Sequence, residues 1–117
     1  MNKFLELFER EINFYALQYY GIDFISPMHF LGYVFILEGI AVRHGSRVED
    51  RVTKVHGKPA SSFLRVHSNE DPEHLEQAIG ILKSLNEVDL EIASKSLVHS
   101  SRGYSAILGA IRTRISG

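Results

Sequence analysis

The chain contains no cysteine, which excludes disulfide frameworks, thiolate metal sites and cysteine nucleophiles and suits a reducing compartment. The cytoplasm is therefore the expected location. Neither sign of charge is in excess: thirteen Lys and Arg stand against fourteen Asp and Glu, a formal net charge of −1. That balance supplies no phosphate-neutralising field, so nucleic acid is not an expected partner. Long apolar runs are missing too. The longest, Met28 to Val42, is broken by Glu38 and falls short of the ~20 residues of a membrane span. The amino-terminal stretch MNKFLELFEREINFY interleaves charge with apolar residues and lacks the continuous apolar core of a secretory signal. No membrane partner is expected. There is no internal repeat and no low-complexity segment. Proline is scarce, and two of the three, Pro27 and Pro72, follow Ser26 and Asp71 in the order of a helix N-cap and first helical residue.

What is present is an ordinary globular composition, 117 residues with 44% hydrophobic and 23% charged, which predicts one folded domain over residues 1–117. The apolar residues recur at helical rather than alternating spacing, so the expected class is all-α, a helical bundle. A first amphipathic helix is predicted from Asn2 to Tyr20, carrying Phe4, Leu5, Phe8, Ile12, Tyr15, Ala16 and Tyr19 and stopping at Gly21. A second, Ser26 to His44 with a stop at Gly45, is apolar nearly all round and belongs at the centre of a bundle. The polar segment from Ser46 to Ser62 predicts a short or frayed helix and then a loop at Gly57-Lys58-Pro59. A third helix is predicted from near Asp71, with Leu75, Ala78, Ile79, Leu82 and Leu85 on one stripe. A fourth begins at Asn86, with Asp89 at the capping-box position and Leu90, Leu97, Tyr104 and Ile111 every seven residues; Gly103 is a candidate kink.

Glu38 is the most informative single residue. One helical turn away stand Val34, Phe35, Ala41 and Val42, none of which can pair with it. A carboxylate on so apolar a helix costs several kcal/mol in desolvation unless a charge or donor meets it from another helix. It is expected to face the bundle interior, in a buried ion pair with an arginine, as a carboxyl group kept protonated by burial, or as part of a site. The second feature is FLRVHSNEDPEH, where His67, Asp71 and His74 stand at i, i+4 and i+7. On a continuous helix they share one face, and two imidazoles with a carboxylate suit iron or manganese. The structural alternative makes Asp71 the N-cap of a helix opened by Pro72, with His74 in its first turn and His67 in a loop. His29, His44, His56 and His99 are expected to be structural or solvated.

Taken together, HFLGYVFILEGIAVRHG and, 29 residues after its glutamate, HSNEDPEH resemble the heme-oxygenase-like helical fold, in particular its non-heme diiron oxidases and oxygenases. The resemblance runs from Ser26 into the last helix. It implies a heme-oxygenase-like bundle in a short or half-length version, the carboxy-terminal half of the family fold. It also implies Glu38, His67, Asp71 and His74 as metal ligands, iron as cofactor, in a single-ion or diiron form and with manganese as the alternative, and oxidation of a small organic substrate with dioxygen. The family carries a further glutamate and histidine on an earlier helix; the residues before Ser26 include Glu6, Glu9 and Glu11 but no histidine. A homodimer, or docking onto a missing amino-terminal half, is therefore expected, also because an all-round apolar helix needs more cover than the other predicted helices supply. The rival reading is a metal-free helical scaffold acting through association with a partner.

Overall fold

The computed structural model describes residues 3–116, and their side chains from Leu5 onward. Four long helices follow one another: α1 (Lys3–Phe24), α2 (Met28–His56), α3 (Ser62–Ser84) and α4 (Glu87–Ser116), with a 3-10 turn at Lys58–Ser61 before α3. Among the described residues there is no strand, so the class is all-α. The chain divides into two compact units, Met1–Tyr33 with Leu85–Gly117, and Val34–Ser84.

In the first unit α1 and α4 run antiparallel. Phe14 meets Gly103 and Tyr104, while Gln18, one turn further along α1, donates to Ser100 Oγ at 3.1 Å, one turn back along α4. The buried stripe of α4 is made of small residues, Ala93, Ser96, Ser100 and Ala110, which lets backbones approach. The closest approach is at Gly32, in the first turns of α2. A Cβ there would stand 2.5 Å from the Leu97 nitrogen and 2.8 Å from Ser96 Cβ. The Ser96 hydroxyl donates to the His29 carbonyl, so His29 is buried in this contact. Burial, and after it the neighbouring His99, lowers the His29 pKa.

Two predicted helix ends in this unit and the next are corrected. Helix α1 does not stop at Gly21 but runs to Phe24, because Gly21 makes room for the His29 ring instead of ending the helix. The N-cap at Ser26 is as expected: its Oγ accepts the Met28 N–H at 3.1 Å. Likewise α2 does not stop at Gly45. That glycine is buried where α2 meets Ser68 of α3, and the helix continues through the polar segment to His56. Gly57, at φ +85°, supplies the left-handed residue that ends it.

The second unit is an αα-hairpin of α2 and α3. Its polar stretch is held on the inner side, where Arg65 Nε donates to Glu49 Oε1 at 3.0 Å and Arg65 Nη2 to the Lys58 carbonyl and Ser61 Oγ. Thr53 Oγ1 and Ser61 Oγ share a 2.7 Å bond. These contacts start α3 at Ser62, nine residues before the predicted beginning near Asp71, and place Pro72 inside the helix. Asp71 is therefore not an N-cap. Proline there leaves the Ser68 carbonyl without its i+4 donor, and Pro72 itself stands exposed. Helix α4 starts as expected, with Asn86 Oδ1 accepting the Asp89 N–H at 2.9 Å and Asn86 Nδ2 bonding Asp89 Oδ2. It continues through Gly103 as one helix.

The apolar side chains of α2 are half-buried or exposed, Phe30 and Val42 among the latter. Among the described residues the buried hydrophobic side chains are three alanines, Ala78, Ala93 and Ala110.

Candidate metal centre

The continuity of α3 through Pro72 places His67, Asp71 and His74 on one helical face, and the hairpin brings Glu38 of α2 against it. His74 Nδ1 lies 3.6 Å from Glu38 Oε1 and 3.5 Å from Asp71 Oδ1, while His67 Nδ1 lies 3.4 Å from the same Asp71 oxygen. The Asp71 side chain is 5% exposed and that of Glu38 21%; both imidazoles are about half exposed. Two carboxylates thus form the floor of the cluster and two imidazoles its solvent-facing rim.

One ligand atom from each of Glu38, Asp71 and His74 lies within 4.8 Å of the other two. His67 reaches Asp71 but is not one of this converging trio, and its ring packs against Phe63 at a 45° tilt with centroids 4.3 Å apart. Glu38 Oε2 is enclosed and has no hydrogen-bond partner. Burial pushes the Glu38 pKa up; His74 opposes this, Asp71 adds to it, and His67 opposes it. Glu38 is thus mostly withdrawn from solvent, and the partners that could not come from its own helix come from α3.

Of the other histidines, His44 accepts from Arg47 Nη2 at 3.3 Å, and His56 and His99 are exposed. A feature with no sequence signature is a cavity of about 140 Å³ in the first unit, between α1 and α4, to which Arg10, Asn13 and His99 contribute polar groups over a wall that includes Phe14 and Leu17. None of the four candidate ligands lines it. The carboxylate–imidazole cluster carries the functional reading, because among the described residues it combines buried anionic oxygens with converging metal-type donors.

No protein-family model, curated protein or solved structure matches the chain. Among the described residues no helix is long and apolar enough to cross a membrane.

Proposed function

We propose that this chain is an iron-dependent oxidase or oxygenase of the heme-oxygenase-like helical class, acting with dioxygen on a small organic substrate in the cytoplasm. Glu38, Asp71 and His74, extended by His67, hold the ion, with manganese as the alternative to iron. The observation that carries this reading is the convergence of Glu38, Asp71 and His74 within 4.8 Å, together with the unpartnered, enclosed Glu38 Oε2. A divalent cation is the group that relieves a desolvated carboxylate while using neutral imidazoles as further donors.

The donor set fits one ion per chain. Helical diiron centres use about six protein ligands, so a second iron requires side chains from another copy. When bound, ferrous iron would supply the redox-active centre at which dioxygen reacts. Asp71 anchors the site because it is buried and fixed on α3. Glu38 closes it from α2, and the rim imidazoles leave the solvent side open for reactants. The chain works as a homodimer, which covers apolar surface that one copy leaves bare.

The test is anaerobic reconstitution with ferrous iron, metal quantification of wild type and His74→Ala, and oxygen uptake by the loaded protein. Stoichiometric iron in wild type, lost in the variant, with oxygen uptake that depends on the metal, is the expected result. Equal retention by both proteins overturns the site.

One observation favours a second reading. Two imidazoles beside two carboxylates can neutralise them when protonated, so the cluster can serve a metal-free scaffold as an ion-pair network. In that case no iron is retained, and His74→Ala lowers stability in metal-free buffer.

A further inference from the structure

We propose that the second copy docks on the face of the α1–α4 pair that lies opposite its cavity, an inference that rests on the homodimer reading and assigns it a surface. Helical geometry, at 100° per residue, defines that face. On α1 the line towards α4 carries Phe14 and Gln18. Leu5, Phe8, Tyr15 and Tyr19 lie roughly a third of a turn to one side of it, whereas Arg10, Asn13 and Leu17, which line the cavity, lie about a quarter turn to the other. On α4 the cavity residues His99 and Ala106 lie to one side of the Ser100–Gly103 line, and Leu108 and Ile115 to the other. The cavity residues mark one side of the pair, so the two apolar stripes share the opposite side.

These side chains are bare: Leu5 51%, Phe8 51%, Tyr15 50%, Tyr19 68%, Leu108 51% and Ile115 80% exposed. At those exposures the six residues leave roughly 700–800 Å² of accessible surface per copy, close to the ~800 Å² that each partner buries in a standard interface. The area therefore matches a dimer.

The pattern on α1 also says how the copies meet. Leu5, Phe8, Ile12, Tyr15 and Tyr19 alternate spacings of three and four, the seam of a helix that pairs with another helix. Glu9 and Glu11 flank that seam. The second copy meets this seam of α1.

The experiment is light scattering of the full chain at micromolar concentration, in wild type, in the double variant Phe8→Glu with Tyr15→Glu, and in Leu17→Glu on the cavity side. Wild type and Leu17→Glu are expected at twice the chain mass. The double variant is expected at the single mass with unchanged helical circular dichroism and unchanged iron content. A monomeric wild type overturns the homodimer reading itself; a dimeric wild type with a dimeric, helical double variant overturns only this face. Should the double variant lose helicity, the single variant Tyr19→Glu, at the most exposed ring of the α1 stripe, decides the matter. It is expected to be helical and monomeric, and a helical, dimeric Tyr19→Glu contradicts the proposal.

Discussion

In the α1–α4 unit the helices meet through small residues and ring edges: Ala93, Ser96 and Ser100 face a glycine and a buried amide, and Phe14 sits between Tyr33 and Tyr104. In the α2–α3 hairpin the corresponding positions are polar, with Glu49 on Arg65, Thr53 on Ser61, and Glu38 against Asp71 and His74. Close backbone approach tolerates little added volume, because overpacking displaces main chain. A polar interface tolerates volume but leaves charge to be compensated. The first unit is therefore expected to be sensitive to size and the second to charge and metal.

Substitutions can break or sharpen that contrast. The largest effect is expected at the cluster. Asp71→Asn keeps the shape of the buried side chain and removes its anionic donor, so ferrous affinity should fall by about 100-fold or more, read by anaerobic titration. Next comes Gly32→Ala. Its Cβ would stand 2.5 Å from the Leu97 nitrogen, and overpacking against backbone costs about 1–3 kcal/mol, offset in part by the ~1 kcal/mol of helix propensity that alanine gains over glycine. Urea denaturation should show a net loss of stability.

Glu38→Gln tests the charge side of the comparison. Burial raises the folded-state pKa of Glu38 above its ordinary 4.5, so in the interval between the two values the folded chain binds more protons than the unfolded one. Stability contributed by this residue therefore falls as pH rises through that interval. In metal-free buffer the glutamine variant should lack that decline and be the more stable protein at neutral pH, while binding less iron. Thermal melts from pH 4 to 8 check both signs. The smallest effect is expected for Gly45→Ala, the counterpart of Gly32→Ala. Its Cβ meets Ser68 Oγ at 2.5 Å but Ser68 Cβ only at 3.6 Å, so a rotatable hydroxyl has to turn away and no backbone moves. Stability should hold or rise by up to about 1 kcal/mol; a loss as large as that of Gly32→Ala would erase the distinction between the units.

What was legible in the sequence was local or chemically costly. The caps at Ser26 and Asn86 were readable because their partners lie two and three residues away. Glu38 was readable because no neighbour on its own helix could satisfy it, and its partners on α3 are the residues the triplet motif singled out. Gly21 and Gly45 misled because a glycine that ends a helix and one that admits a neighbour look alike in sequence; only the positions of His29 and Ser68 separate the two uses. Asp71-Pro72 has the form of a helix start, and the contacts that begin α3 earlier, among Thr53, Ser61 and Arg65, span the hairpin and leave no local pattern. The cavity at Arg10 and His99 depends in the same way on which face of α1 meets α4. His67, at the expected spacing, stands one step outside the converging trio, a consequence of where α2 crosses its face.

The most direct measurement is an anaerobic ferrous titration of wild type, Asp71→Asn and Glu38→Gln side by side, with bound iron counted per chain after removal of excess. One tightly held ion per wild-type chain is expected, with weakened binding in both variants and helical content unchanged. Wild type that retains no iron, or variants that retain as much as wild type, would contradict the proposed iron site.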